Sequence, residues 1–170
     1  MQITTQRCIL WNADEQLLNL AISNETAFTE LLNVKPARNW NQFGTEIFCY
    51  VLEKIKTNPQ EQIWWAWFPI HTDSKSLIGT CGFKGPPNAH GELEIGYEIA
   101  PDFRNRGLAT EIAAALVEFA REQKQVNRVI AHTLADDPIS AAVLKKVGFR
   151  FSSELDDPED GRVKRWEFDF

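Results

Sequence analysis

One change of period constrains this chain more than any other feature. Residues 92–100, Glu-Leu-Glu-Ile-Gly-Tyr-Glu-Ile-Ala, set Ile and Tyr among polar residues as a strand does, and Pro101 ends the run. From Leu108 the repeat lengthens. Leu108, Ile112, Ala115, Leu116 and Phe119 share one face of a 3.6-residue helix, in an Ala-rich setting that favours helix. Between the two lies the short basic turn Arg104-Asn105-Arg106-Gly107. A strand that feeds a long amphipathic helix through such a turn points to a layered α/β arrangement.

The turn has an electrostatic use open to it. The first backbone N–H groups of a helix lack intrahelical partners, and the helix dipole adds positive potential there. Gly107 carries no Cβ, so an anion can approach the backbone, and Arg104 and Arg106 add charge beside it. The same residues also suit a plain strand–turn–helix with solvated arginines.

The remaining elements follow in order. Residues 5–11 read as a first strand. Asn12, with Glu15 three residues on, predicts a helix cap. Leu17, Leu20, Ala21, Phe28, Leu31 and Leu32 continue as helix, broken near Ser23-Asn24. A second helix is expected over 41–56 with Phe43, Ile47, Tyr50, Val51 and Ile55 on its apolar side, stopped by Asn58-Pro59. Residues 63–70 and 76–83 predict a hairpin across 72–75. Trp40, Trp64, Trp65 and Trp67 suit core packing or a substrate mouth. Residues 84–91 form a loop in which Lys84 is functional or merely solvated. Then come a strand at 127–134 and a helix capped by Asp137, with Pro138 at its first position and Gly148 at its C-terminal cap. A closing antiparallel pair, 149–154 and 162–168, brackets a turn at 156–161. The order β-α-α-β-β-β-α-β-α-β-β predicts about seven strands in a mixed α/β sheet with helices on both faces, in a single domain spanning 1–170.

Composition narrows the function classes. The 170 residues are 44% hydrophobic and 25% charged, which is ordinary for a globular domain. The net charge of -6 argues against nucleic acid as a partner of the whole surface. The charge is uneven. Residues 104–150 hold eight Lys/Arg against five acids, a local +3 that leaves -9 elsewhere, which fits a phosphate-bearing group near the turn and a cationic partner on the acidic remainder. Cys8, Cys49 and Cys81 have no metal or redox spacing and read as reduced core thiols of a cytoplasmic protein. His71, His90 and His132 share no ligand spacing, so no metal is expected. No apolar run is long enough for a membrane span.

Two motifs resemble one family. Arg104-x-x-Gly107-x-Ala109 is similar to the Gln/Arg-x-x-Gly-x-Gly/Ala signature of the GNAT N-acetyltransferases, in which this turn holds the diphosphate of acetyl-coenzyme A. About thirty residues on, Asp137-x-x-Ser140-x-x-Val143-Leu144-x-Lys146-x-Gly148-Phe149 resembles the Asn-x-x-Ser-x-x-Val-Leu-x-Lys-x-Gly-Phe segment of the branch that contains ribosomal-protein N-terminal acetyltransferases. The element order resembles the GNAT fold over nearly the whole chain.

The resemblance implies acetyl transfer from acetyl-coenzyme A to a primary amine, of a small molecule or of a protein N-terminus or lysine, by a monomer or homodimer. It implies cofactor contacts from Ile99, Arg104, Asn105, Arg106, Gly107, Leu108, Ala109, Thr110, Asp137, Ser140 and Lys146. An alkylammonium near a pKa of about 10.4 must lose a proton before it attacks. Glu94 is the candidate base, with Glu92 and Glu98 near it on the strand. A backbone N–H near Ile99 is the candidate for the developing oxyanion. Relatives often carry a tyrosine acid where this chain has Leu144. Ser140 then either supplies a proton or only contacts the cofactor. Asp137 replaces an Asn that can donate as well as accept. A non-catalytic coenzyme A-binding module of the same fold is the alternative, and amine-dependent thiol release separates the two.

Overall fold

The computed structural model describes residues 1–158 and 160–170. β1 (Gln2–Thr4) and β2 (Cys8–Asn12) form a hairpin. Thr5 closes it, its amide and hydroxyl both reaching the Cys8 carbonyl, at 2.8 and 3.0 Å. α1 (Glu15–Ser23) is capped by Asp14, which accepts from the Leu17 amide at 2.8 Å, and not by Asn12 as expected. Asn12 ends β2 at 1% exposure, and its amide is spent on Gln62 and the Ala66 carbonyl. α2 (Glu25–Leu32) starts at Asn24, which also ends α1, so the break expected there is present.

β3 (Lys35–Pro36) precedes α3 (Glu46–Thr57), which is shorter than the expected 41–56 at its start because Gly44 sits at φ 77°. Its inward face also differs. Phe43, Ile47 and Tyr50 are 72%, 45% and 48% exposed, while Phe48, Val51 and Ile55 are buried. Two overlapping apolar stripes exist in this sequence. Phe48 wins because it meets Trp40 and Phe68, at ring-centre distances of 6.0 and 5.6 Å.

The expected strand at 63–70 is in fact a 3-10 turn over Pro59–Trp64 followed by β4 (Ala66–His71). Pro59 starts the turn, and Trp67 donates its indole N–H back to the Ile63 carbonyl at 3.1 Å. β5 (Ser76–Leu77) and β6 (Gly79–Phe83) return antiparallel to β4, as the hairpin reading required. β7 (Glu92–Ile99), α4 (Leu108–Arg121), β8 (Arg128–Leu134), α5 (Pro138–Val147), β9 (Arg150–Asp157) and β10 (Gly161–Asp169) complete the chain within a few residues of expectation. Glu159, inside the turn expected at 156–161, lies outside the described residues.

The sheet path is β1-β2-β4-β6-β7-β8-β10-β9, with β5 pairing both β4 and β3. Among the described residues that makes ten strands, not seven, because β1, β3 and the division of 76–83 into two are too short to show a period. The α/β class with a mixed sheet stands: β7 and β8 run parallel, and their neighbours along that path pair antiparallel. Adjacent residues fall into different cores, Trp67 against Phe68 and Ile99 against Ala100, so the two cores lie on opposite faces. One holds α4 and α5 residues over Leu93, Ile95 and Val129; the other holds α1 to α3 around Phe28, Trp40 and Phe68. Trp40, Trp64, Trp65 and Trp67 are all core residues, at most 6% exposed. Cys8 and Cys81 are buried, and burial pushes the Cys8 thiol up to about 11, but Cys49 is exposed and is not a core thiol. No helix among the described residues is long and apolar enough to cross a membrane, and no group of three or more His, Cys, Asp or Glu there is placed to hold a metal ion.

Candidate active site

β7 and β8 pair only over Glu92–Glu94 and Arg128–Ile130, and beyond that they part. β7 stays with β6 as far as Ile99, and β8 stays with β10 as far as Leu134. Parity fixes what faces the gap. The Glu94 carbonyl accepts from Lys84 N–H (2.9 Å) and Ala100 N–H donates to Ile78 (2.7 Å), so even-numbered residues turn their backbone to β6. The amides of Tyr97 and Ile99 therefore turn toward β8. A gap at the carboxyl ends of two parallel strands is where open α/β sheets bind ligands.

The basic turn closes one end of this gap. Asn105 (φ 59°) and Gly107 (φ 76°) are left-handed, which a glycine adopts without strain. Gly107 caps α4 with no side-chain bond, and the first helical bond runs from Glu111 N–H to the Gly107 carbonyl. The amides of Leu108, Ala109 and Thr110 are thus left without helical partners, which is the arrangement that binds phosphate. The arginine side chains do not point inward as a pair. Arg104 donates to the Ile99 carbonyl (2.9 Å) and to Gln42 Oε1 (2.8 Å), while Arg106 lies over the Phe103 ring at 5.2 Å.

Sequence reasoning missed the strut behind the turn. Arg7 donates Nη1 to the Arg106 carbonyl at 2.7 Å. Its backbone N–H and Nε bond the two Glu111 oxygens at 2.7 Å each, and the Thr5 hydroxyl joins Glu111 at 2.6 Å. Arg7→Ala should weaken the binding of a diphosphate-bearing ligand at this turn about tenfold by loosening the Arg106 carbonyl. Calorimetric titration measures this, and an unchanged dissociation constant would show that the strut does not hold the turn. No motif joins residues 7 and 111, so only the fold reveals the pair.

At α5, Asp137 Oδ1 accepts from the Ile139 and Ser140 amides, at 2.9 and 3.0 Å. Burial alone would raise this carboxyl, but bonds from the Ser140 hydroxyl and from these amides hold it below the ordinary range. Asp137 is therefore occupied as a helix cap, and Ser140 is tied to it. Tyr97 lies near enough that the Asp137 charge adds to burial in raising its phenol, which keeps the phenol protonated. Leu144 is 1% exposed and has no proton to give. Lys146 is exposed in the last turn of α5, about 13 Å along the helix from Asp137, so the fold separates it from that cap.

Even-numbered residues of β7 share the opposite face, where Glu92, Glu94, Gly96 and Glu98 follow one another. A Cβ at Gly96 would meet nothing within 4 Å, so there is free space between Glu94 and Glu98. Glu94 Oε1 accepts from Lys84 Nζ (2.6 Å) and from His132 Nδ1 (3.0 Å). Burial would raise this carboxyl, but the His132 and Lys84 hydrogen bonds overcome it and hold Glu94 low. Lys84 is therefore not a free loop lysine, and His132 is a site residue that its sequence spacing did not suggest. Glu92 is taken up by Arg165 at 2.7 Å.

Glu98 is 8% exposed and accepts from the Thr80 hydroxyl (2.9 Å) and the Gln42 N–H (3.1 Å). Burial raises its carboxyl against those bonds and the Arg104 charge. A carboxyl whose pKa is higher in the folded chain favours folding while protonated. That contribution is whole below the unfolded value, about 4.3, and is lost as pH rises through the folded value. Glu98→Gln should therefore gain in Tm relative to wild type as pH rises from about 4 to about 8. A difference that stays flat or shrinks across melts in that range would contradict the raised pKa.

Residues 10–150 match the acetyltransferase (GNAT) domain family. Over 148 residues the chain is 27% identical to the Bacillus subtilis uncharacterized N-acetyltransferase YjdG, covering 86% of this chain and 88% of that one. The uncharacterized N-acetyltransferase YoaA of the same organism is 34% identical over 84 residues, 49% of this chain and 48% of that one. Among solved structures, RimL, a ribosomal-protein alpha-N-acetyltransferase in complex with coenzyme A, has a TM-score of 0.72 at 16% identity, covering 99% of this chain and 98% of that one. At that identity the likeness is one of fold.

Proposed function

Because the chain belongs to the GNAT acetyltransferase family, we propose that it is an acetyl-coenzyme A-dependent N-acetyltransferase acting on a primary amine where β7 and β8 part. One observation carries the reading: the parallel pair opens beside a helix whose first amides have no helical partner and, among the described residues, no side-chain partner. The residues fit the donor. Amides 108–110 and the Gly107 turn would take the diphosphate, and the backbone of Tyr97 and Ile99 would face the pantetheine arm. Bound there, acetyl-coenzyme A supplies an activated acetyl group on a thiol that leaves readily, since a thiol ionises near about 8.5.

The protein's own residues then have three tasks. The Ile99 N–H is aimed into the gap, where it can stabilise an oxygen that gains charge. The space over Gly96, between the side chains of Glu94 and Glu98, admits the amine. The group at Glu94 must manage the amine proton. A thiolate needs little help to leave, so Leu144 in place of a tyrosine acid is tolerable, and Ser140 serves as part of the α5 cap beside the donor. Acceptors consistent with this space are small amines and free protein N-termini or lysines.

The test is thiol release from acetyl-coenzyme A with a panel of diamines, amino acids and short peptides with free N-terminal Ser or Ala. Amine-dependent thiol release matched by acetylated product in mass spectrometry is expected. Tight coenzyme A binding with no turnover across the panel would instead identify a non-catalytic binding module. Failure to bind coenzyme A would refute the site altogether.

A further inference from the structure

Resting on that reading, the open question is which side chain takes the amine proton. Glu94 is poorly disposed to do so. Lys84 Nζ and His132 Nδ1 both lie against its Oε1, and the carboxyl is held below its ordinary range. A carboxylate already stabilised as the anion has little affinity for another proton. Glu98 has the raised carboxyl, but its two oxygens are spent on Thr80 and Gln42, and it is 8% exposed.

We propose that Nε2 of His132 is the proton acceptor, and that Glu94, braced by Lys84, is the positioning residue that fixes the imidazole. With Nδ1 committed to a carboxylate, the ring proton stays on Nδ1 and the lone pair is on Nε2. No hydrogen bond to Nε2 exists among the described residues, and the side chain is 22% exposed, so the nitrogen is within reach of a ligand. The placement on the sheet agrees. Glu94 pairs with Ile130, the last pair before the strands part, so His132 stands one step further on, level with Gly96 and its free space. A carboxylate that holds one imidazole nitrogen so that the other can act as a base is the same division of labour as in a Ser-His-Asp triad.

The charged groups around His132 permit this. On β7 it faces Glu94, and after β6 it faces Lys84, which neutralises that carboxylate. On β10 it stands opposite Arg165, whose guanidinium is held by Glu92 at 2.7 Å and Glu167 at 2.8 Å. The step balances. Nε2 takes one proton from R–NH3+, and the freed nitrogen pair forms the C–N bond to the acetyl carbon. The C–S bond breaks with its electron pair going to sulfur. The amide nitrogen's second proton passes to the thiolate, and the first leaves the imidazolium for solvent. One acetyl donor and one ammonium give one amide, one thiol and one proton.

Two measurements on the full chain test the proposal. In nitrogen-15 NMR of histidine-labelled protein at about pH 8, with His132→Gln identifying the signals, Nδ1 should be protonated and Nε2 not. The opposite tautomer overturns the proposal, and this readout needs no acceptor. With the fastest acceptor of the panel above, His132→Asn should lower kcat at least about a hundredfold with the KM for acetyl-coenzyme A unchanged, and added imidazole should restore part of the rate. Its kcat/KM should lose the acidic limb, whereas Glu94→Gln should keep that limb and lose only about tenfold. If His132→Asn and a folded His132→Gln both retain wild-type kcat, or if Glu94→Gln alone abolishes the limb, Glu94 is the base and the proposal fails. Absence of any turnover by wild type would count against the acetyltransferase reading, while the tautomer would still decide His132.

Discussion

Gly107→Glu is expected to lower coenzyme A affinity at least about a thousandfold while the chain stays folded. The expected loss comes from charge and position. The turn at Gly107 leads directly into the free amides of Leu108, Ala109 and Thr110. A carboxylate there repels a diphosphate and, by folding back, can satisfy those amides itself. The fold should survive because a Cβ at 107 meets only the far end of Arg7, at 3.5 Å. The positive φ of 76° adds strain of about 1–2 kcal/mol for most residues. Gly107→Asn separates the two effects, since Asn tolerates the left-handed region and adds no charge; it should lose no more than about tenfold. Titration calorimetry with a circular-dichroism melt reads both. Wild-type affinity in a folded Gly107→Glu protein would refute the diphosphate assignment.

The second large effect is expected at the other end of the site. Gly96→Leu should lower kcat/KM for the amine at least about a hundredfold while coenzyme A affinity stays within about threefold. Gly96 is not in a left-handed conformation, and an added Cβ meets nothing within 4 Å, so the strand backbone accepts a side chain at this position. That side chain fills the space between Glu94 and Glu98 that the acceptor is proposed to use. The backbone of residue 96 faces β6, and the amides of Tyr97 and Ile99, which are proposed to face the donor, are untouched. Undiminished acetylation by this variant would mean that the amine approaches from elsewhere.

What was legible in the sequence was what local chemistry fixes. α4 and α5 carry their own punctuation, Gly107 at one start and Asp137-Pro138 with Gly148 at the ends of the other, and both helices lie where those residues put them. β7 is likewise bounded by its own Pro101. The site's interior was not legible, because it depends on register between distant strands. His132 and Glu94 are 38 residues apart and meet only because β7 and β8 pair with Glu94 against Ile130. Arg104 was read as part of an anion site from its place in the turn, yet its guanidinium is turned toward Ile99 and Gln42. In α3 the period was correct and Val51 and Ile55 turn inward as expected, but aromatic partners elsewhere in the chain selected Phe48 over Ile47 and Tyr50. Asp137, read both as the cap of this helix and as a lost donor beside the Asn of relatives, is in place as the cap.

The guanidinium of Arg104 reaches across to Gln42, and the main chain of Gln42 reaches in turn to Glu98. The basic turn and the connector ahead of α3 are thereby tied by a single flat cation. Were a ligand at the turn to displace that guanidinium, the setting of Glu98 would change with it, and a ligand beside Glu98 would act back on the turn to the same extent.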